Sequence, residues 1–202
     1  MAKLYFYSSA MNAGKSTKLL QNNFNYKERG MDTLLYTFRF DNRVGSPKIN
    51  SRIGLTNDAY LFDQDLDFLL DVKKKINDKV KCILIDEAQF LTKEQVFQLC
   101  KIVDEIKIPV LTYGLRSDFL GEPFEGSKYL LTWADELVEV KTICHCGKKA
   151  TMNAKIDSKK NIIRAGNQIE IGGNELYVAL CRKHYISGEI DTNTQNQFQS
   201  SK

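Results

Sequence analysis

The 202-residue sequence predicts an α/β fold, a parallel sheet with flanking helices to which a small β-rich unit is appended. Three observations lead there. Short apolar runs alternate with helix-length segments through most of the chain. The first run leads through Gly14, Lys15 and Ser16 straight into a helical pattern. From Cys144 onward the alternation stops, and cysteines and histidines take its place.

The elements follow in order. Leu4 to Tyr7 is a short apolar strand, and Lys15 to Arg29 is patterned as a helix. Thr33 to Phe38 is a second buried strand. Arg39 to Gly54 carries Asp41, Asn42, Gly45, Pro47, Asn50 and Gly54 with little apolar content, so it reads as a long mobile loop or a weak hairpin. Asp65 to Asn77 holds a helix, and Lys81 to Asp86 is an apolar strand that ends in a carboxylate. Thr92 to Ile106 forms a further helix with Thr92 as cap; its apolar residues Val96, Phe97, Leu99, Cys100, Ile102, Val103 and Ile106 pack on the sheet. After Pro109 comes a strand at Val110 to Gly114, then another at Glu136 to Lys141. Short β-like pieces follow at Thr151 to Ile156, Ile162 to Arg164 and Tyr177 to Leu180. The expected organisation is a nucleotide-binding α/β domain over 1–142, a metal-binding unit over 143–188 and a polar tail over 189–202. That tail buries too little surface to offset its ordering entropy.

Composition narrows the function classes. A hydrophobic content of 43% suffices for a packed core, and no apolar stretch approaches the roughly 20 residues that cross a bilayer. The N-terminus lacks the apolar centre of a signal peptide, so a cytoplasmic protein without membrane partners is expected. The net charge of +4 comes from scattered lysines and forms no basic stripe, so small phosphorylated ligands are expected and nucleic acid is not. Five cysteines form an odd set, which argues against a disulfide framework. Cys82 and Cys100 lie within apolar patterns and read as core residues.

The chemistry begins at Ser9 to Thr17, Ser-Ala-Met-Asn-Ala-Gly-Lys-Ser-Thr. Backbone N–H groups at a strand-to-helix turn, an ammonium for β/γ oxygens and a hydroxyl for Mg²⁺ make a triphosphate site, here Gly14, Lys15 and Ser16. The fold class is therefore P-loop NTPase-like. Ser9 stands where the motif usually has glycine, so its first turn is expected to lack the residue best suited to positive φ. The plainer reading is a solvated helix start capped by Ser16 or Thr17. Asp86, at the carboxyl end of a strand beside this loop, is placed to hold Mg²⁺, and Glu87 to orient an attacking hydroxyl and accept its proton. Both acids also fit a simple turn cap.

Cys144-His145-Cys146 and Cys181-Arg182-Lys183-His184 are two closely spaced ligand pairs. Thiolates with imidazole suit tetrahedral Zn²⁺, and Cys144, Cys146, Cys181 and His184 are the expected set, with His145 flanking and open as a substitute. The metal reads as structural, in a unit too small for a core of its own. Free thiols beside a surface histidine, or a catalytic zinc, are the other readings.

Ser8 to Thr17, Asp86 to Phe90, Tyr113 to Phe119, Ile171 to Gly173 with Tyr177, and the Cys/His set together resemble the type II thymidine kinases. The likeness runs in order from about residue 3 to about residue 186. It implies γ-phosphoryl transfer from ATP to the 5′-hydroxyl of thymidine, with deoxyuridine a poorer substrate, and with Mg²⁺ and structural Zn²⁺ required. Glu87 would be the general base. Ser9, Ala10, Met11, Asn12, Ala13, Gly14, Lys15 and Ser16, with Asp86 and Gln89, would bind ATP and its metal. Met11, Phe90, Leu115 and Phe119 would contact the nucleoside. Ile169, Glu170, Ile171, Gly172 and Gly173, with Tyr177, would form a metal-anchored lasso loop over the thymine. The resemblance also implies a homotetramer, a cytosolic salvage role in DNA precursor supply and feedback inhibition by thymidine triphosphate. A P-loop ATPase or switch whose zinc unit binds nucleic acid or protein is the reading from another class.

Overall fold

The computed structural model describes residues 1–39, 47–166, 168 and 177–190. In chain order its strands and helices are β1 (Leu4–Ser9), α1 (Lys15–Glu28), β2 (Asp32–Phe38), β3 (Lys48–Asn50), β4 (Thr56–Asp58), β5 (Tyr60–Phe62), α2 (Phe68–Lys75), β6 (Val80–Ile85), α3 (Lys93–Lys101), β7 (Val110–Leu115), α4 (Glu125–Trp133) and β8 (Glu136–Glu139). Then come β9 (Thr142–Ile143), β10 (Lys149–Ala150), β11 (Met152–Ile156), β12 (Ile162–Ile163), β13 (Tyr177–Leu180) and α5 (Arg182–Ser187). The chain divides into two compact units, Met1–Ser9, Gly14–Arg116 and Pro123–Val140 in the first, and Ala10–Ala13, Ser117–Glu122 and Lys141–Lys202 in the second.

The first unit is built on a six-stranded sheet in the order β5-β2-β6-β7-β1-β8, parallel throughout. Successive side chains of a strand point to opposite faces, so a strand covered on both sides must be apolar at every position. In β6, Ile83 and Ile85 join a cluster with Phe6, Tyr36, Phe68, Val96, Leu99 and Leu130, while Cys82 and Leu84 join Leu19, Leu20, Leu35 and Tyr113. Burial pushes the Cys82 thiol up to about 12, so it packs as an inert hydrophobe.

Several expectations change in detail. Helix α2 begins at Phe68 because the Asp67 carboxylate accepts the Leu70 N–H at 2.9 Å and fixes the first turn. Thr92 caps α3 as expected, in a capping box with Gln95, but the α-helix ends at Lys101 and residues 102–106 form a wider π-helical turn closing on Lys107 at φ 63°. Within the segment expected as a loop or weak hairpin, Lys48–Asn50 is strand β3, which pairs antiparallel with β4 just beyond the segment's end, while residues 40–46 lie outside the described residues. The edge strand β5, helix α4, the short strands β9 and β10, and helix α5 are also additional.

The second unit contains the antiparallel sheet β12-β11-β13 and the pair β9-β10. Its core cluster is Cys144, Ala150, Ala154, Leu180 and Cys181. Alanines and cysteines bury little area, and so small a core contributes little stability by hydrophobic burial alone. The polar tail expected over 189–202 falls outside the described residues from 191 onward.

Candidate functional site

Of the phosphate-loop residues, Ser9, Gly14, Lys15 and Ser16 belong to the first unit and Ala10–Ala13 to the second. Ser9 closes β1, and Gly14 forms the N-cap of α1 at φ 81°. The left-handed positions of the loop fall at Asn12 (φ 63°) and Gly14, and Ser9 is not among them. A serine is therefore admitted where the usual motif has glycine, because the turn does not ask that position for positive φ. Its hydroxyl accepts from Lys15 Nζ at 3.1 Å, so the position carries a polar partner for the buried lysine. Burial pulls the Lys15 ammonium below its ordinary value, and the charges of Glu87 and Asp86 oppose this. The α1 terminus presents unpaired backbone N–H groups and a positive dipole end, which suits an anion.

Asp86 follows directly on β6. Its Oδ2 accepts from Ser16 Oγ at 2.8 Å, and its Oδ1 accepts from the Glu87 N–H at 3.0 Å. Burial and then the neighbouring Glu87 push this carboxyl above its ordinary range, while the Ser16 hydroxyl and Lys15 pull it back. A serine hydroxyl and a buried carboxylate within hydrogen-bond reach are a donor set for a hard divalent cation. Glu87 itself is left-handed at φ 55°, an unusual backbone state for a residue with a side chain.

The turn Ala88–Phe90 is held by its neighbours. Gln89 Nε2 donates to Glu87 Oε2 at 2.6 Å, and Gln89 Oε1 accepts the Leu115 N–H at 3.1 Å. Gln89 is buried and lies against Gly114, where a Cβ would stand 2.9 Å from its backbone nitrogen. At Gly126 in α4 a Cβ would stand 2.5 Å from the Ala88 carbonyl oxygen. Two glycines thus let strand and helix backbone close on the turn that carries Glu87. Phe90 is half-buried, its ring 4.8 Å from Phe38 and 5.6 Å edge-on from Phe124. The sequence reading missed Phe38 and Phe124, since nothing in spacing distinguishes them from core residues.

The second unit holds the other candidates. The Met11 N–H donates to Asn153 Oδ1 at 2.7 Å. Phe119 is buried, with the Tyr177 ring 6.3 Å away edge-on and Lys155 Nζ 5.4 Å from its centroid. Ala10 is buried, while Asn12 is exposed. Ile169, Glu170, Ile171, Gly172 and Gly173, expected to form the lasso, lie outside the described residues.

Cys144, Cys146, Cys181 and His184 bring their ligand atoms within 4.8 Å of one another. Two thiolates about 2.3 Å from one zinc stand about 3.8 Å apart at a tetrahedral angle. Cys146 Sγ and Cys181 Sγ are 3.9 Å apart, and Cys144 Sγ lies 3.4 Å from His184 Nδ1, so the set fits Zn²⁺ in both chemistry and size. The His184 N–H chiefly holds the Cys181 thiol below its ordinary value, whereas burial raises that of Cys144. His145 stands outside this set, its ring stacked on His184 at 4.3 Å. On the far side of His184, Nε2 faces Glu189 Oε2 at 3.5 Å, a carboxylate that can fix the imidazole so that Nδ1 is free to ligate. Glu189 was assigned to the polar tail by sequence.

A family model described as thymidine kinase matches residues 2–185. The chain is 58% identical over 187 residues to a protein of Aliivibrio fischeri named thymidine kinase, covering 92% of this chain and 97% of that one. It is 58% identical over 186 residues to the thymidine kinase of Yersinia pestis, covering 92% and 95%. It is 56% identical over 191 residues to that of Coxiella burnetii, covering 94% and 97%.

Proposed function

This chain belongs to the thymidine kinase family, and we propose that it transfers the γ-phosphoryl group of ATP to the 5′-hydroxyl of thymidine, giving thymidine monophosphate and ADP. The observation that carries the chemistry is the adjacency of Asp86 and Glu87 at the end of β6, one bonded to Ser16 and the other to Gln89. Phosphoryl transfer asks the protein for little covalent chemistry. It needs charge placed around the transferring group and a carboxylate that orients the acceptor.

In this reading the N–H groups at the start of α1 and the Lys15 ammonium bind the β and γ oxygens, with Ser9 to Ser16 as the loop around them. Mg²⁺ supplies further positive charge there, and Ser16 and Asp86 are its holders, directly or through water. A cation at Asp86 also favours its ionised form, which burial alone opposes. Glu87 takes the proton of the 5′-hydroxyl. Gln89, which the sequence reading grouped with the ATP contacts, serves Glu87, because both ends of its amide are engaged by Glu87 and Leu115. Met11, Phe90, Leu115, Phe119 and Tyr177 are the nucleoside contacts, with Ile169 to Gly173 reading the base through backbone groups. Apolar walls discriminate one methyl by only about 1–3 kcal/mol, so deoxyuridine is accepted less well and not excluded.

The Cys3His set holds a structural zinc that adds folding free energy to a unit of small core. Among the described residues no helix is long and apolar enough to cross a membrane. A cytoplasmic homotetramer working in nucleotide salvage completes the proposal. An ATPase or switch with a nucleic-acid-binding module is not favoured, since both the family and the relatives are thymidine kinases. The deciding assay is product analysis with ATP, Mg²⁺ and a nucleoside panel. Thymidine-dependent formation of the monophosphate is expected, and ATP hydrolysis indifferent to thymidine would overturn the reading.

A further inference from the structure

Asn153 is the second residue of β11, opposite Ala179 of β13, and is 2% exposed. Its carboxamide is used at both ends. Oδ1 accepts the Met11 N–H at 2.7 Å, and Nδ2 donates to the Ser117 carbonyl at 2.7 Å. One side chain, fixed by a sheet, therefore brackets two loops that are more than 100 residues apart in sequence, Ala10–Ala13 and Ser117–Glu122.

Both loops respond as units to such a bracket. In the first, Met11 precedes Asn12 and Gly14, the two left-handed residues that shape the phosphate loop before α1 begins. Fixing the plane of the Ala10–Met11 peptide fixes the start of that arch. In the second, Asp118 Oδ1 accepts the N–H groups of Leu120 and Glu122 at 2.9 Å each, so the segment is a closed turn that carries Phe119. Tyr185 Oη donates to the Phe119 carbonyl at 2.8 Å and pins the turn at a second point. The residue type is demanding. Leucine of similar volume would leave the half-buried Met11 N–H and the buried Ser117 carbonyl unpaired, and aspartate would offer Met11 an acceptor but face Ser117 with a second acceptor.

We propose that Asn153 is a positioning residue that couples ATP binding to thymidine binding, by holding the phosphate loop at Met11 and the Phe119 turn at Ser117 with one carboxamide. The inference rests on the assignment of the first loop to ATP and of Phe119 to thymidine. A ligand that sets the position of one loop must carry the carboxamide with it or break one of its two bonds, so the two loops favour one common arrangement and the ligands that select it favour one another. The coupling is reciprocal, as linkage requires.

The test is calorimetric titration of the full chain with a non-hydrolysable ATP analogue and Mg²⁺, with and without saturating thymidine, for the unsubstituted protein, Asn153→Leu and Asn153→Asp. Bound zinc and Tm report folding. In the unsubstituted protein thymidine should tighten the analogue by about 5-fold or more. Both substitutions should bring that ratio to within about 2-fold of unity with zinc content unchanged. Should Asn153→Leu lose zinc, Asn153→Asp, which keeps the volume, decides. Equal ratios in the variants and the unsubstituted protein, or no coupling in the unsubstituted protein, would overturn the inference while leaving the kinase reading intact. An unsubstituted protein that binds the analogue but never thymidine overturns the kinase reading, and this inference with it.

Discussion

Gln89 Nε2 stands 2.6 Å from Glu87 Oε2, while the same amide takes the Leu115 N–H on its oxygen at 3.1 Å. The carboxylate proposed as general base is thus held by a side chain that is itself held by β7. A carboxylate oxygen donated to by a neutral amide keeps one orientation without being neutralised by a cation, which suits a group that must receive a proton.

Gln89→Leu keeps most of the volume and removes both bonds. Glu87 then samples other rotamers, and kcat should fall by about 10- to 100-fold, in the range expected when a supporting residue misplaces the reacting group. The KM for ATP should change little, because the phosphate-loop bonds do not involve Gln89. Steady-state kinetics with saturating ATP check this, and a raised KM for ATP with normal kcat would return Gln89 to the ATP contacts.

Glu87→Gln removes the base but preserves shape and the left-handed turn. The expected loss in kcat is about 10²- to 10⁴-fold, with affinity for an ATP analogue kept within about 2-fold. Single-turnover measurement separates this chemical defect from slow product release. Unchanged turnover would remove Glu87 from the mechanism.

Much of this was legible because it depends on neighbours in sequence. The alternation that gave β1, β2, β6, β7 and β8 is a local pattern, and Gly14-Lys15-Ser16, Asp86-Glu87 and the two Cys/His pairs are fixed short spacings. In helix α4, Gly126 carries a helix-propensity cost, and the need for it appears only in the fold, where Ala88 O would lie 2.5 Å from an added Cβ. Strand β5, at three residues, is too short to show a period, and it exists by pairing with β2. Asn153 and Glu189 are ordinary polar letters until the fold supplies Met11, Ser117 and His184 as partners. That serine is admitted at position 9 is likewise visible only in the fold, since the positive φ values fall at Asn12 and Gly14.

Gly114→Ala tests how tightly β7 closes on the Glu87 turn. The new methyl would stand 2.9 Å from Gln89 N and 3.0 Å from Gln89 Oε1, so either the strand or the turn must shift. The backbone neighbour cannot swing aside as a side chain would, and a cost of about 1–3 kcal/mol is expected. For a chain of this size that lowers Tm by roughly 2–4 °C per kcal/mol. Because the displaced group is Gln89, kcat should fall together with Tm, and a stable variant with full activity would show that the contact is slack.

The metal set offers the last test, through a residue that is no ligand. His184 presents Nδ1 to Cys144 and Nε2 to Glu189, so the carboxylate is placed to keep the proton on Nε2 and the lone pair on Nδ1. Outer carboxylates of this kind commonly alter metal affinity by about 10- to 100-fold. Glu189 is 67% exposed on its side chain and its contact is 3.5 Å, so water weakens the pairing and the low end of that range is expected for Glu189→Gln. Competition with a chromogenic chelator measures it, against Cys181→Ser as the ligand loss. Zinc removal in either case should lower Tm, because the cluster of Cys144, Ala150, Ala154, Leu180 and Cys181 loses the bond that compensates for its small area. Thymidine affinity should weaken before ATP-analogue affinity does, since Tyr177 and Phe119 belong to the unit that the metal supports while Lys15, Ser16 and Asp86 belong to the other. Equal zinc affinity in Glu189→Gln and the unsubstituted protein would reduce the Glu189 contact to a surface pair.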